Sequence, residues 1–359
     1  MSTKKPGRSL HTALVAPAFL FNSVARARSA LYDKSALPVV DTGVPVISIG
    51  NITAGGTGKT PITSYLATDL ATRGYSVGIV SRGYGGSEKG PALVGPDGTP
   101  SIAQRFGDEP AWLASRHPEA TVVIGAKRPE AVAHLLTLKK PAVVLADDAF
   151  QHRRLKRDLD IVIVDPTEPR WHYQPLPLGR MREPFSALKR ADFVFLSKTN
   201  LLPASELQWI RDRLKTEQTI AKFKIVEFGV KLAGVVSLEL NRTLAPPAHE
   251  SLSRVVLMSG IARPHTFEAT VKASARVFGS PTVIHHFEFN DHHVYTQEDL
   301  KSVEERALAE RADAIVITEK DAVKLGDWVP RVPVFVTRLT AEPLTNIQEF
   351  HEAVHRLLS

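Results

Sequence analysis

A glycine-rich stretch near the start of the chain carries the residues best suited to chemistry. It reads Thr53-Ala54-Gly55-Gly56-Thr57-Gly58-Lys59-Thr60. The glycines allow backbone N–H groups to face a phosphate, Lys59 can reach the terminal phosphates, and the Thr60 hydroxyl can hold Mg²⁺. An apolar run typical of a strand precedes it, and Pro61 suits the first turn of a helix after it. The pattern predicts a phosphate-binding loop, although Thr53 replaces the usual first glycine.

An acidic pair that could hold a metal follows another apolar run. Residues 142–146 read as a buried strand, and Asp147 and Asp148 follow it directly. A phosphate-binding-loop fold places its second metal-holding group at such a strand end. The pair is therefore expected to hold Mg²⁺; the alternative is two exposed acids at the end of a strand.

Two further residues have both a chemical and a structural interpretation. Asp108 follows Gly107 where a helix is predicted to begin, so it is either the helix cap or a general base at a nucleotide site. Arg182 lies in a proline-rich loop beside Glu183. It either stabilises the charge that develops on a γ-phosphate or simply pairs with Glu183 at the surface.

Composition bounds the class of protein. The chain has 359 residues, 43% of them hydrophobic, no cysteine and a net charge of +7. Disulfides and thiolate metal sites are thereby excluded. Residues 1–34 contain six basic residues and one acidic residue, so most of the excess charge lies there. A basic arm on a nearly neutral body favours an anionic surface as partner, and nucleic acid is not expected.

The segment 10–28 combines this charge with apolar residues. The run is too short and too interrupted by Pro17, Asn22 and Ser23 to span a membrane. An interfacial helix on an anionic membrane surface is the preferred interpretation. The alternatives are a cleaved signal peptide and an ordinary helix that docks on the core. The signal peptide is disfavoured because an exported protein would have its nucleotide site where there is no ATP.

The remaining pattern predicts an α/β fold. Short Val- and Ile-rich runs alternate with amphipathic stretches, which indicates a mostly parallel sheet with helices on both faces. A smaller α/β domain is predicted to follow. The expected boundaries are an N-terminal helix (1–34), a core domain (35–221), a linker (222–245) formed by the strand pair 222–230 and 234–240, and a C-terminal domain (246–359).

The C-terminal domain contains two clusters of interest. His285, His286, His292 and His293 are close in sequence, but adjacent histidines on a strand point to opposite faces, so zinc is not predicted. The more specific hypothesis is that one of these histidines reaches across a domain cleft and contacts a carboxylate of the first domain. Residues 318–321, Thr-Glu-Lys-Asp, have a weak similarity to the Asn-Lys-x-Asp loop of GTPases, and guanine is not predicted.

Taken together, the motifs resemble a known family. They comprise the glycine loop with Pro61, Ser81-Arg82-Gly83-Tyr84-Gly85-Gly86, Gly107-Asp108-Glu109-Pro110, Asp147-Asp148-Ala149-Phe150-Gln151-His152, Leu178-Gly179-Arg180-Met181-Arg182-Glu183-Pro184, Ile261-Ala262-Arg263-Pro264, Asp291-His292-His293 and Thr318-Glu319-Lys320-Asp321. This set resembles tetraacyldisaccharide 4′-kinase, the lipid A 4′-kinase of Gram-negative bacteria, from about residue 10 to 345.

The resemblance implies an activity and a set of roles. The γ-phosphate of ATP would pass, with Mg²⁺, to the 4′-hydroxyl of a tetraacylated glucosamine disaccharide 1-phosphate, giving lipid IVA. Asp108 would be the base and His292 its partner. Thr60, Asp147, Asp148 and Glu183 would serve the metal and its surroundings, while Lys59 and Arg182 would act on the phosphates. Ala149 departs from the glycine usual in the family, and its methyl would strain a left-handed backbone there.

The same resemblance implies a peripheral enzyme on the cytoplasmic face of the inner membrane. Its expected partners are the lipid disaccharide and the membrane surface, and no protein partner is predicted. A membrane-associated P-loop ATPase or GTPase switch is one alternative, but partitioning ATPases carry a second lysine where this chain has Ala54. A soluble small-molecule kinase is another; it would not need the basic apolar arm.

Overall fold

The protein, seen in a computed structural model, is described over residues 8–95, 100–238, 243–244, 252–261, 263–274, 279–291, 293–325 and 328–359. The chain divides into two compact units, each assembled from separate segments. The first comprises Met1–Arg82, Gly125–Gly229 and Glu342–Ser359; the second comprises Gly83–Ile124 and Val230–Ala341. The domain boundaries expected from the sequence stay a prediction, and residues 245–250 at one of them lie outside the described ranges.

Helices and strands alternate along most of the chain. The helices are α1 (Arg8–Asp33), α2 (Lys59–Thr72), α3 (Pro100–Phe106), α4 (Asp108–Arg116), α5 (Arg128–Leu138), α6 (Ala204–Gln218), α7 (Pro264–Ala273), α8 (Gln297–Ala309), α9 (Glu319–Ala322) and α10 (Gln348–Leu358). The strands are β1 (Val46–Asn51), β2 (Val77–Ser81), β3 (Ala92–Leu93), β4 (Thr121–Ile124), β5 (Val143–Asp147), β6 (Leu159–Val164), β7 (Phe193–Leu196), β8 (Lys224–Ser237), β9 (Thr243–Leu244), β10 (Arg254–Ser259), β11 (Thr282–Glu288), β12 (Ala314–Thr318) and β13 (Val334–Pro343).

The first unit is built on a parallel sheet. Its strands lie in the order β8-β7-β6-β1-β5-β2, and each neighbouring pair is parallel. Every residue of β1, β2 and β5 is buried, as expected for strands covered on both faces. Packing at the end of β1 leaves no room for a side chain, since a Cβ on Gly50 would lie 2.4 Å from the Cβ of Phe150.

The second unit contains another parallel sheet, with strands in the order β11-β10-β12-β13. Its core is formed by apolar residues of these strands and of α8, among them Val256, Met258, Val303, Ile315 and Ile317. Strands β3 and β4 pair antiparallel in the same unit. The predicted α/β class, mostly parallel with helices, is confirmed.

One predicted element is wrong. The pair of strands expected at 222–230 and 234–240 is a single strand, β8, from Lys224 to Ser237. Gly229 and Gly234 lie inside this strand, since glycine also adopts extended backbone. The polar Lys231 is exposed and the next residue, Leu232, is buried, because successive side chains of a strand point to opposite faces.

Candidate active site

The glycine loop lies between the end of β1 and the start of α2, in the first unit. Gly55 and Gly58 have φ values of 118° and 86°, which side chains rarely tolerate. Inside the loop, the Asn51 amide donates to the Thr57 hydroxyl at 2.8 Å, and Thr57 N–H donates to the Gly55 carbonyl at 3.0 Å. Lys59 and Thr60 are the first residues of α2, so the loop opens onto a helix N-terminus, which favours anions.

Neighbouring loops fix this stretch through its backbone. Ala54 N–H donates to the Arg180 carbonyl, and Arg182 N–H donates to the Ile52 carbonyl, each at 2.7 Å. On the other side, the Ser197 hydroxyl donates to the Thr57 carbonyl at 2.8 Å. These hydrogen bonds tie the glycine loop to the loop that carries Arg180 and Arg182 and to the residue that follows β7.

Asp147 and Asp148 follow β5 as predicted, but their environments differ. Asp147 is 1% exposed, and its carboxylate accepts from the hydroxyls of Thr63 at 3.1 Å and Ser81 at 3.3 Å. Asp148 lies 3.5 Å from the Lys59 ammonium and 3.0 Å from the Arg182 guanidinium. The left-handed residue of this turn is Asp148 itself, with φ 50°, so Ala149 carries no positive-φ strain.

The charges around Asp148 set its protonation. Burial by itself would raise the pKa of Asp148, but Lys59, Arg182 and Arg128 outweigh it and hold that pKa far below its usual range. The carboxylate is therefore ionised at neutral pH. Lys59, Asp148 and Arg182 form a charged cluster beside the first turn of α2, as a site for transferring phosphate requires.

Of the four residues expected to hold Mg²⁺, Thr60, Asp147 and Asp148 suit the ion better than Glu183 does. Thr60 lies on the same face of α2 as Thr63, whose hydroxyl donates to the Asp147 carboxylate. The carboxylate oxygens of Asp147 and Asp148 are ligands that a hard cation prefers. Glu183 instead accepts two hydrogen bonds from Arg190, at 2.8 and 3.0 Å, and one from Gln151 at 3.1 Å. These three hydrogen bonds leave one lone pair of the Glu183 carboxylate, on Oε2, for a further contact. Among the residues that the structure describes, no group of three or more acidic or histidine side chains is arranged for a metal.

Asp108 belongs to the second unit and is the first residue of α4. The residue in the cap position is Gly107, with φ 93°, so the alternative that Asp108 caps the helix is wrong by one position. The Asp108 carboxylate is almost completely buried and lies 3.8 Å from the ammonium of Lys320. The same ammonium lies 3.5 Å from Glu109 and 3.5 Å from Asp291.

Lys320 is a residue whose role sequence reasoning missed. Burial by itself would lower the pKa of Lys320, but Glu109, Asp108, Asp291 and Asp321 outweigh it and raise that pKa above its usual value. The ammonium therefore stays charged among these carboxylates. The only signal in the sequence was the position of residues 318–321 at the end of a strand.

Asp321 anchors the turn that presents Lys320. Its carboxylate accepts from the Tyr295 hydroxyl at 2.9 Å, from Gly260 N–H at 3.1 Å and from the Thr318 hydroxyl at 2.6 Å. Glu319 in the same turn pairs with Arg116, at the last residue of α4, at 2.7 Å. The Thr-Glu-Lys-Asp stretch is thus a structural junction for α4, which is the helix that carries Asp108.

The histidine cluster is mostly occupied by hydrogen bonds. His293 lies 3.0 Å from Asp299 and stacks on Phe289. His286 lies 2.8 Å from the Ser259 hydroxyl and 3.2 Å from Glu268. His292, the expected partner of Asp108, lies outside the described residues, as does Ala262, so the proposed Asp108–His292 pair stays a prediction.

His152 closes the motif that begins at Asp147, and it is partly buried. Burial lowers the pKa of His152 to about 4, with Arg128 adding to the effect and Asp148 opposing it. Arg82 and Arg28 also lower this pKa. His152 is therefore neutral in the folded protein at neutral pH and protonates in the unfolded chain below about 6.5.

We expect this difference to make folding stability pH-dependent. Because the unfolded state binds the proton first, the free energy of unfolding falls as the pH drops from 6.5 to 4, by about 2 kcal/mol from His152. His152→Gln should remove that slope. Urea titrations of both proteins at several pH values measure it, and equal slopes in wild type and variant would contradict the assignment.

A glycine loop between the first strand and its helix, beside an acidic pair on the adjacent parallel strand, defines a P-loop nucleotide-binding protein. Comparison with known sequences gives the particular family. The profile of the tetraacyldisaccharide-1-P 4′-kinase (LpxK) family matches residues 10–359. The chain belongs to that family.

Individual relatives agree with this assignment. The chain is 38% identical to the tetraacyldisaccharide 4′-kinase of Bdellovibrio bacteriovorus, over 86% of this chain and 87% of that protein. It is 34% identical to that of Geobacter sulfurreducens, over 94% and 91%. The crystal structure of an "apo" form of LpxK from Aquifex aeolicus, in complex with ATP, matches with a TM-score of 0.72 and 25% identity, over 98% of this chain and 100% of that one.

Proposed function

We propose that this protein transfers the γ-phosphate of ATP to the 4′-hydroxyl of a tetraacylated glucosamine disaccharide 1-phosphate, giving lipid IVA and ADP. The observation that carries the proposal is the cluster of Lys59, Asp148 and Arg182 beside the glycine loop, in a chain of the 4′-kinase family. Two cations and a helix N-terminus at one place suit a triphosphate.

The first unit holds the phosphates in this mechanism. Backbone N–H groups of the glycine loop would face the β- and γ-phosphates, except those of Ala54 and Thr57, which donate to carbonyls of the protein. Lys59 would neutralise the charge of these phosphates. Arg182 stabilises the negative charge that grows on the γ-phosphoryl oxygens as the reaction proceeds. Asp148 keeps both cations in position through its ion pairs, at 3.5 Å and 3.0 Å.

Mg²⁺ would be held by Thr60 with Asp147 and Asp148, and it supplies positive charge to the phosphate oxygens when bound. Hydrogen bonds from Thr63 and Ser81 orient the Asp147 carboxylate for this purpose. The participation of Glu183 stays a prediction; its observed contacts position Arg190 and Gln151.

The second unit supplies the base. Asp108 takes the proton of the 4′-hydroxyl, whose oxygen then bonds to the γ-phosphorus while the bond from that phosphorus to the bridging oxygen breaks, releasing ADP. Lys320 holds Asp108 in place through the contact at 3.8 Å. His292 is proposed to assist Asp108 on the strength of the resemblance.

The test is direct. The protein is incubated with ATP, Mg²⁺ and the disaccharide lipid in detergent, and mass spectrometry looks for a product one phosphate heavier. Absence of that product, with phosphate release that needs no lipid, would favour the ATPase-switch alternative. Equal activity on a water-soluble sugar without detergent would favour a soluble small-molecule kinase.

We also propose that residues 10–28 rest on an anionic membrane surface, on the cytoplasmic face of the inner membrane where ATP is available. Helix α1 exposes Val15, Phe19, Leu20, Phe21 and Val24. No helix in the described part of the chain has an apolar stretch long enough to cross a bilayer. An interfacial position needs only one apolar side and nearby cations.

Contacts at the other end of α1 support this placement. Arg153 donates to the Ser29 carbonyl at 2.7 Å and pairs with Asp33 at 2.8 Å. Arg28 donates to the carbonyl of Gln151 at 3.2 Å, and Gln151 donates in turn to Asn51 at the base of the glycine loop. The helix is therefore fixed beside the candidate site, and a lipid drawn from the surface would have a short path.

A triple serine variant tests the membrane contact. Phe19→Ser/Leu20→Ser/Val24→Ser should weaken sedimentation with phosphatidylglycerol-containing vesicles by at least about tenfold, because each exposed apolar side chain contributes about 1 kcal/mol or more on burial. Ile220→Ser, which changes an equally exposed apolar residue of the same unit, is the matched control. Unchanged sedimentation of the triple variant would reject the proposal.

A further inference from the structure

The sheet of the first unit reverses its winding direction between β1 and β6. From β1 the chain passes through α2 to β2 on one side of the sheet order. From β6 it passes to β7 and through α6 to β8 on the other side. In open α/β sheets ligands bind outside the carboxyl ends of the strands at such a reversal. A nucleotide on the glycine loop is therefore expected to extend over the ends of β1 and β6.

The two sides of this position carry different chemistry. On the β5 side lie Asp148, Lys59 and Arg182, the charges suited to the γ-phosphate. On the β6 and β7 side lies the segment 197–201, which directly follows β7 and includes a short 3₁₀ turn, Thr199–Leu201. Since the phosphates of ATP would lie at Lys59 and Arg182, the nucleoside would lie beside the segment 197–201.

Lys198 bridges the second group to the glycine loop. Its ammonium donates to the Gly56 carbonyl at 3.0 Å and to the Asp165 carboxylate, at the end of β6, at 2.7 Å. The Lys198 backbone is left-handed, with φ 58°, a conformation that costs free energy for a residue with a side chain. The Thr199 hydroxyl fixes the next residue by donating to the Phe228 carbonyl at 3.3 Å.

These contacts give the Lys198 side chain a fixed course. With the ammonium held at one end and the backbone at the other, the methylene chain runs along the loop. Its Cε would lie 3.7 Å from a Cβ built on Gly58. The side chain is 13% exposed, so part of it faces solvent. A lysine whose charge is already satisfied presents its methylenes as an apolar surface.

We propose that Lys198 forms the nucleoside-side wall of the nucleotide site: its ammonium holds the glycine loop in the phosphate-binding conformation, and its methylene chain lies against the adenine ring. This inference rests on the proposed function, because it needs ATP at the glycine loop. The two parts of the side chain have separate effects. The ammonium acts on any ligand with a triphosphate, whereas the methylenes act only on ligands that carry a base.

Two ligands separate these effects. Binding of ATP and of inorganic tripolyphosphate is measured by isothermal titration calorimetry with wild type, Lys198→Met and Lys198→Ala. We expect Lys198→Met to weaken both ligands by the same factor, about fivefold, since it removes a hydrogen bond to the loop and keeps an unbranched apolar chain. Lys198→Ala should weaken ATP by a further factor of about five, with tripolyphosphate unchanged from Lys198→Met.

Matched variants guard against a loss of folding. Removing the ammonium leaves the buried Asp165 carboxylate without this cation, so the double variant Lys198→Met/Asp165→Asn is prepared as well. Lys156→Met and Lys156→Ala change another lysine of the same unit. Its ammonium lies 2.7 Å from the Asp41 carboxylate, and Asp41 is not part of the glycine loop. These control variants should bind both ligands as wild type does.

Each outcome decides the inference. The proposed methylene contact is wrong if Lys198→Ala and Lys198→Met bind ATP with equal affinity. It is also wrong if Lys198→Ala lowers the affinity for tripolyphosphate as much as the affinity for ATP. If all Lys198 variants bind both ligands like wild type, the whole inference fails while the proposed kinase activity stands. If wild type binds neither ligand, the proposed function fails and takes the inference with it.

Discussion

Asp108→Asn is expected to lower kcat for phosphate transfer by about 10²- to 10⁴-fold, the usual contribution of a general base. The asparagine has nearly the shape of aspartate but cannot accept the hydroxyl proton. Binding of ATP should change little, because the glycine loop and Lys59 belong to the first unit and Asp108 to the second. The expected signature is therefore a large loss of kcat with the KM for ATP preserved.

Steady-state kinetics with the lipid acceptor measure this loss. Glu109→Gln is the matched control, because Glu109 lies next in the same helix and 3.5 Å from the same Lys320 ammonium. If the loss of charge around Lys320 were the cause, both variants would lose activity alike. A kcat within threefold of wild type for Asp108→Asn would remove Asp108 from the mechanism and leave only the nucleotide site.

Lys59→Met is the second change with a large expected effect. The ammonium is expected to stabilise charge on the transferred phosphate in the transition state, and loss of such a group costs about 10²- to 10³-fold in kcat. Loss of Lys59 also removes one of the two cations close to Asp148. Lys59→Arg keeps the positive charge but replaces a compact ammonium with a wider planar guanidinium. We therefore expect this variant to retain only part of the wild-type kcat.

Kinetic assays and ATP titrations are done together for this variant. Lys127→Met is the matched control, since Lys127 also lies at the N-terminus of a helix, α5, and pairs only at the surface with Glu130. Wild-type kcat in Lys59→Met would show that the reacting phosphate is not bound at the glycine loop. Loss of activity in Lys127→Met would show that any lysine near a helix start has this effect.

Much of the first unit was predictable because its signals are local. Strand β5 (Val143–Asp147) is displaced by one residue from the run 142–146 that was expected to form a buried strand. The glycine loop is equally local, since backbone conformation and phosphate chemistry both depend on consecutive residues. The prediction failed at β8, where two strands were expected and the chain forms one continuous strand that includes two glycines.

The contacts of the candidate site depend on residues far apart in the sequence. Lys198 reaches Gly56 and Asp165, and Lys320 reaches Asp108 and Asp291, over separations that no periodicity encodes. Likewise, the hydrogen bonds of Glu183 with Arg190 and Gln151 are not visible in the sequence, and its expected place beside the metal stays a prediction. Charge pairs of this kind follow from which strand ends meet, and strand order is a property of the folded chain.

The sequence by itself determined the class of the protein and the location of its phosphate site, because a strand, three glycines, a lysine and a threonine act through adjacent backbone groups. Only the tertiary structure decided which charged groups surround that site and which lysine lies beside Asp108. The physical reason is that electrostatic interactions depend on distance in space, and the order of strands in the two sheets brings together residues that lie more than a hundred positions apart in the chain, such as Lys320 with Asp108 and Lys198 with Gly56.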